Sequence, residues 1–485
     1  MPSAGAKTAR EKLPALCVDL DETLIRGDLL WECVLLVLKT RPATLFRVPF
    51  WLLSGRGNLK HQLAKRACLN PARLSYREEV INFVRQERAA GRTTALVTAA
   101  DASLAESVSE YLGVFDEVHA TQGSVNLKGL QKAEFLANHF GECGFEYIGD
   151  SSADVAVWRS AQAGYVVGSQ RRVDEAAAAT SVKAVFPTES TSFSTWINAI
   201  RGHHWAKNLL LFLPLALSHN LSFGPILYTF LGFVLYGLCA SGLYVLNDLL
   251  DLHSDREHPW KRARPFAAGE ISIPQGLVAS GILLTSAIGL GFTLKSSFGL
   301  ALVTYAAVTM LYSLVLKRIA LLDVFVLCSF YSFRIVAGAL ISSTPLSQWF
   351  LAFSLFFFLS LAMAKRYSEL VHAGELLKSG NSGRGYRAED RDLLLALGTG
   401  SSFAAVIILS LYVHSQEVLA LYSSPQYLFL ICPIILYWLS RNWLLAHRGE
   451  LKEDPVTLSI RDRASYLVAL ASAFVIAASL IRTKF

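Results

Sequence analysis

Nine apolar runs, centred near residues 213, 235, 282, 307, 331, 356, 405, 433 and 473, constrain this chain more than any other feature. Several are near or above the roughly 20 residues that cross a hydrocarbon core as a helix, and lipid accepts only segments whose backbone groups pair internally. An all-α membrane bundle of nine transmembrane helices is therefore expected over residues 201–485, multi-pass in an inner (plasma) membrane. The whole chain is 53% hydrophobic with a mean hydropathy of +0.39, too apolar for a soluble protein of 485 residues. The first 185 residues lack runs of this kind and read as an ordinary soluble domain.

Basic residues set the expected orientation. Alternate loops carry 17 Lys and Arg on one side and only Lys295 on the other, so the richer side is expected to be cytoplasmic, together with the N-terminal domain. An odd number of spans places the two ends of the bundle on opposite faces. The net charge of +7 is modest and its bases sit beside apolar runs, which favours membrane lipids and phosphate groups as partners and excludes nucleic acid. Cys17, Cys33, Cys68, Cys143, Cys239, Cys328 and Cys432 are odd in number and lack C-x-x-C spacing, so neither a disulfide framework nor a zinc site is expected. The stretch Leu13–Leu20 already carries Asp19, which argues against a signal peptide.

The stretch Tyr244–Gly269 turns abruptly from apolar to charged. Asp248, Asp251 and Asp255 stand at i, i+3 and i+7, which puts three carboxylates on one face of a helix or its unwound end. Carboxylates that close need a cation, and an all-oxygen set suits Mg²⁺. Lys261, Arg262 and Arg264 follow, and acids for a metal beside bases for phosphate suit a diphosphate-bearing substrate. A solvated, charge-mixed loop capping a membrane helix is the plain alternative. The order N-D-x-x-D-x-x-x-D, from Asn247 to Asp255, resembles the signature of the UbiA-type intramembrane prenyltransferases. The continuation H-P-x-K-x-x-R-P-x-A-x-G, from His258 to Gly269, resembles the decaprenyl-phosphate phosphoribosyltransferase branch, which makes polyprenylphosphoryl-5-phosphoribose. Arg201-x-x-x-Trp205-x-Lys207-Asn208 resembles the element that opens that branch, although as a basic, aromatic stretch it also reads as an interfacial anchor.

That resemblance implies catalytic roles for Asp248 and Asp251, at least one Mg²⁺ on Asp248, Asp251 and Asp255, and substrate contacts from Lys207, Asn208, Tyr244, Asn247, Lys261 and Arg264. Charged residues near or within spans are costly and usually functional, which adds Tyr312, Lys317, Arg318, Arg334, Lys365, Arg366 and Glu369 as substrate-binding candidates. Lys317, Arg318, Lys365 and Arg366 read equally as snorkelling anchors. Arg334 lies well inside an apolar run, and Asp323, 11 residues earlier on the same helical face, is its expected partner. Asp454-Pro455-Val456 with Glu453 and Asp462 resembles a further element of the branch. One departure matters: quinone-type members carry a second D-x-x-x-D between the sixth and seventh spans, where this chain has only Glu369 and Glu375.

Near the start, Ala15–Val18 is a short apolar strand running into Asp19-Leu20-Asp21-Glu22-Thr23. A strand-end aspartate is placed to attack a phosphoryl group, and a second two residues on points the same way as acid and base. A second strand, Ala95–Val97, ends at Thr98; Lys132 opens a helix; a third strand ends in Gly149-Asp150-Ser151-Ser152-Ala153-Asp154. This set resembles the haloacid-dehalogenase-like (HAD) phosphatases, which implies an α/β Rossmann-like domain over residues 1–190 with a helical cap at about 29–90 and a linker at 191–200. The resemblance implies Asp19 as nucleophile, Asp21 as acid and base, Thr98 and Lys132 as phosphate binders, and one Mg²⁺ held by Asp19, Asp21, Asp150 and Asp154. The apolar segments Trp31–Leu38 and Phe46–Leu53 are expected to be cap core, with a surface leaning on the bilayer or on the second domain as the alternative.

The expected activity is transfer of 5-phosphoribose from phosphoribosyl diphosphate to a polyprenyl phosphate lipid, followed by removal of the 5-phosphate by the HAD domain. Transfer of a prenyl chain from prenyl diphosphate to an aromatic acceptor beside an independent phosphatase is the alternative. A non-enzymatic lipid-binding scaffold is the third class, which the intact acids disfavour. A homo-oligomer stays open.

Overall fold

Apolar runs that stop at a polar residue become the parallel strands of the N-terminal region. The computed structural model describes residues 13–122, 127–188, 191–219, 222–373, 385–451, 455–459 and 462–481. They divide into two compact units, residues 1–200 with 245–279, and 201–244 with 280–485.

In the first unit, β1 (Ala15–Val18), β2 (Thr94–Asp101), β3 (Glu117–Thr121), β4 (Phe145–Gly149), β5 (Ala163–Gly168) and β6 (Val182–Pro187) form a six-stranded parallel sheet in the order β3-β2-β1-β4-β5-β6. Helices cover both faces, so β1 and β4 are buried throughout and read as continuous apolar runs. Cys17 pairs in register with Ala95 of β2 and Tyr147 of β4, which lines up the carboxyl ends of the three strands. The chain order reverses between β1 and β4, and in open parallel sheets ligands bind at such a switch point, beyond the strands' carboxyl ends.

The insertion between β1 and β2 is helical, as expected. Its first helix, α1 (Leu29–Thr40), is capped by Asp28, whose side chain accepts from the Leu30 N–H at 2.7 Å. Cys33 and Val37 of α1 enter the sheet-side core, whereas Leu35 joins a separate cluster with Val245, Leu249, Leu252 and Phe266. The expectation of cap core fails for Phe46–Leu53. Phe46, Phe50 and Leu53 are exposed and helix Val48–Leu53 buries no residue, because only Trp51 turns inward, where the Arg66 guanidinium lies 4.7 Å from its ring. Helix α2 (Leu130–Phe140) carries Lys132 in its first turn.

Eight helices among the described residues are long and apolar enough to cross a membrane. They are α3 (Phe223–Leu250), Ile273–Leu294, Ser296–Leu314, α4 (Leu322–Ser342), α5 (Gln348–Ala373), Asp390–Val413, Pro425–His447 and Arg463–Leu480. The apolar run near residue 213 is the exception to the expected nine. It folds as a 3₁₀ stretch, Gly202–Phe212, and a five-residue helix, Leu213–Leu217, because His203, His204, Lys207 and Asn208 break its apolar stripe and Pro214 starts a new helix. The 3₁₀ stretch lies directly against α4: a Cβ on Gly338 would stand 2.1 Å from the Leu211 carbonyl oxygen, so only glycine fits there. Large apolar side chains such as Ile282, Leu290, Phe403, Ile407, Leu467 and Phe474 face outward from the spans, which suits lipid and not water.

Candidate functional site

The acidic stretch sits where α3 gives way to a second helix, Leu252–Glu257, with Asp251 at the joint. Asp251 keeps the helical hydrogen bond from its N–H to the Asn247 carbonyl at 2.9 Å, so the three acids stay on one side across the break. Asp248 and Asp255 are buried, and both meet Arg264 Nη1, at 3.1 and 2.5 Å. Lys261 Nζ lies 4.0 Å from Asp255. Lys39 of α1 donates to Asp251 Oδ1 at 3.1 Å. The acids and bases expected from sequence are thus brought together, and Arg264 stands between two carboxylates where a cation belongs. An oxygen-only donor set already gathered about a positive charge fits Mg²⁺.

Glu32, one turn into α1, anchors the same loop. Its carboxylate lies 2.8 Å from Arg256 Nη2 and 3.1 Å from His253 Nε2. Burial alone raises a carboxyl group, and here the His253 and Arg256 contacts outweigh it and hold Glu32 below the usual range. Arg73 Nε pairs with Glu257 at 2.6 Å, and the Ser75 hydroxyl donates to the Ala268 carbonyl at 3.3 Å.

In the second unit the buried Arg334 is boxed by aromatics. Its guanidinium carbon lies 5.2, 5.6 and 5.8 Å from the rings of Tyr236, Tyr305 and Tyr331, and its Nε donates to Asn208 Oδ1 at 2.9 Å. Lys207 Nζ lies 5.6 Å from the Tyr331 ring. Lys207, Asn208 and Arg334 therefore belong to one cluster. The Tyr244 ring lies tilted against His204 at 5.4 Å, with the Arg201 guanidinium 5.3 Å from its centroid.

Asp323 is not the partner of Arg334. Eleven residues on a helix share a face but lie about 16 Å apart along the axis. Asp323 instead accepts from Arg366 Nε and from the Tyr386 hydroxyl, each at 2.5 Å. Arg366 also reaches Glu369 at 2.6 Å and Tyr312 at 3.2 Å, and being buried it is not a snorkelling anchor. Lys317 and Lys365 are half-buried and Arg318 is exposed. Asp462 caps helix Arg463–Leu480 and pairs with Arg441 at 2.8 Å, a structural role. Glu375, Lys378, Arg384, Lys452, Glu453, Asp454 and Arg461 lie outside the described residues.

At the sheet's switch point, carboxylate oxygens of Asp19, Asp150 and Asp154 lie within 4.8 Å of one another. Lys132 Nζ is 3.0 Å from Asp19 and 3.9 Å from Asp154, and donates to the Tyr147 hydroxyl at 2.8 Å. Tyr147 in turn donates to Asp154 at 2.9 Å. Gly149 permits this closeness, since a Cβ there would stand 2.9 Å from Asp154 Oδ2. Thr98 is buried one strand over, its Oγ1 accepting from the Ala100 N–H at 3.0 Å. Asp21 accepts from the Leu29 N–H at 2.8 Å and lines a pocket with Leu30, Lys60 and Asp101. Burial, then the charge of Asp28, pushes Asp21 up to about 8. Burial, then Asp19 and Asp154, pushes Asp150 up to about 8. Lys132 is lowered by burial but raised further by Asp19 and Asp154, and ends above its ordinary value. More carboxylates than one lysine can balance is the charge condition a divalent cation meets.

The sequence pattern does not mark Lys39, Glu32, His253 or Arg256 as site residues. The available signal was the spacing of Trp31, Leu35 and Lys39 at i, i+4 and i+8, one face of α1.

A model described as the UbiA prenyltransferase family matches residues 209–478. Uncharacterized protein y4nM of Sinorhizobium fredii is 40% identical over 96% of this chain and 91% of its own length. Nodulation protein NoeC of Azorhizobium caulinodans is 35% identical over 58% of this chain and 92% of its own. The decaprenyl-phosphate phosphoribosyltransferase of Mycobacterium tuberculosis is 30% identical over 57% of this chain and 90% of its own.

Proposed function

The chain belongs to the UbiA prenyltransferase family, and from that premise we propose that its acid loop transfers 5-phosphoribose from phosphoribosyl diphosphate to a polyprenyl phosphate. It is an integral-membrane transferase. The observation that carries the donor is the set of Asp248, Asp251 and Asp255 interleaved with Arg264, Lys261 and Lys39. A diphosphate with a further 5-phosphate needs more bases than a prenyl diphosphate does, and the name of the mycobacterial relative points the same way. The lipid phosphate oxygen attacks C1 of the ribose as the C1–O bond to diphosphate breaks. Asp248, Asp251 and Asp255 would hold Mg²⁺, which would supply charge neutralisation for the departing diphosphate. Arg264 and Lys261 hold phosphate oxygens, Asp248 and Asp255 orient Arg264, and Arg334 with Lys207 and Asn208 offers a buried positive charge for the lipid phosphate.

We also propose a second activity, a HAD-like phosphatase, for the N-terminal site, on the gathering of Asp19, Asp150 and Asp154 about Lys132. Asp19 attacks the phosphorus of a phosphomonoester, and Asp21, protonated near neutral pH, gives its proton to the departing oxygen. Water activated by Asp21 then cleaves the aspartyl phosphate, while Lys132 and Thr98 hold the phosphoryl oxygens. Asp19, Asp150 and Asp154 would hold a divalent cation, which would supply charge neutralisation there. Acting on the first product, this site leaves polyprenylphosphoryl ribose.

On this reading residue 200 and Asp251, which belong to one compact unit, are taken to face one compartment, and the basic bias supports the cytoplasm for it. Since α3 crosses once, the stretch Gly202–Leu217 crosses as well. Eleven residues in 3₁₀ form and five in α form extend about 30 Å, enough for a hydrocarbon core.

The test gives the purified protein labelled phosphoribosyl diphosphate or labelled prenyl diphosphate, with polyprenyl phosphate or an aromatic acid as acceptor. Label from phosphoribosyl diphosphate entering lipid supports the proposal; turnover only of prenyl diphosphate with the aromatic acid refutes it.

A further inference from the structure

Helix α1 touches an acidic site at each end. In its first turn the Leu29 N–H donates to Asp21 at 2.8 Å, and in its last turn Lys39 donates to Asp251 at 3.1 Å. Lys39 is held there and not merely near. Leu35 and Trp31, one and two turns back on the same face, pack among Val245, Leu249, Leu252 and Phe266. Glu32 grips His253 and Arg256 on the same loop. The Lys39 and Asp251 side chains are only 22% and 18% exposed, so the pair is screened less than a surface ion pair.

Each acid of the loop thus has a resident base: Arg264 for Asp248 and Asp255, Lys39 for Asp251. A divalent cation entering with diphosphate takes over the neutralisation of the acids, and a base freed beside a polyanion pairs with it. We propose that Lys39 is a substrate-binding residue of the acid loop, supplied by the N-terminal region, pairing with Asp251 in the ligand-free site and with a diphosphate oxygen in the loaded one. It lies outside the residues 209–478 that match the family, so this base comes from a part of the chain that the family match does not cover. The proposal rests on the reading of the acid loop as a diphosphate site.

Calorimetric titration of the full chain in detergent with Mg²⁺ and inorganic diphosphate tests it, with Asp251→Asn defining the loop's share of the heat. Lys39→Gln weakens Mg²⁺-dependent diphosphate binding about tenfold, the worth of one charge-assisted hydrogen bond, and Lys39→Arg restores most of it. The same variant raises KM for phosphoribosyl diphosphate about tenfold with kcat nearly unchanged, whereas a purely structural role would lower the thermal transition and leave KM alone. Equal diphosphate affinity in wild type and Lys39→Gln overturns the role of Lys39. Wild type and Asp251→Asn binding diphosphate alike overturns the diphosphate site itself, and this inference with it.

Discussion

The two acidic clusters carry similar residues on different secondary structure, and the difference sets what each can hold. At the sheet, Asp19 and Asp150 follow adjacent parallel strands, so their carboxylates converge with Asp154 within 4.8 Å around one buried lysine. On the loop, Asp248, Asp251 and Asp255 follow successive helical turns, Asp248 and Asp255 meet on one Arg264 nitrogen at 3.1 and 2.5 Å, and Lys39 takes Asp251. Strand ends gather three acids about one lysine, which suits a single phosphoryl group, and helical turns interleave the acids with two bases, which suits a diphosphate.

The largest expected effect breaks one cluster and spares the other. Asp251→Asn removes ligand charge with little change of volume, so transfer falls roughly 100-fold or more while hydrolysis of a soluble aryl phosphate at the sheet site keeps its rate. Parallel assays on one preparation check this. A joint loss would mean that the clusters form one site.

Tyr386→Phe has a smaller effect, on stability. It leaves one oxygen of the buried Asp323 without its donor, which costs about 1–3 kcal/mol, and it is read as a lower thermal transition in detergent. An unchanged transition would show that Asp323 is satisfied by Arg366 alone.

Phe50→Ser with Leu53→Ser should have the smallest effect. These exposed side chains on the sheet-bearing unit suit a phosphatase working at a lipid surface. Their loss should slow hydrolysis of a vesicle-borne phosphomonoester a few-fold without altering hydrolysis of a soluble one; equal rates on vesicles would give the segment another role.

Both clusters were legible in sequence for the same reason. Asp19 and Asp150 are marked by the strands they end, and Asp248, Asp251 and Asp255 by a spacing that one helical face explains. Contacts set by packing between distant segments were not legible. Lys39 and Asp251 are 212 residues apart and Arg366 and Asp323 are 43 apart, and periodicity gives a face without naming its neighbour. Periodicity therefore pairs Asp323 with Arg334, on its own helix, where packing pairs it with Arg366. The run near residue 213 shows the same limit: hydropathy marks an apolar segment but does not separate a 3₁₀ stretch from a full helix when Pro214 and Asn208 fall inside it.

On the proposed reading the loop makes a phosphorylated lipid and the sheet site removes its phosphate. Mass analysis of the lipid formed from phosphoribosyl diphosphate and polyprenyl phosphate, by wild type and by Asp19→Asn, tests it most directly. The account predicts polyprenylphosphoryl ribose from wild type and the 5-phosphorylated lipid from Asp19→Asn at an undiminished rate of transfer. The same lipid from both proteins would contradict it.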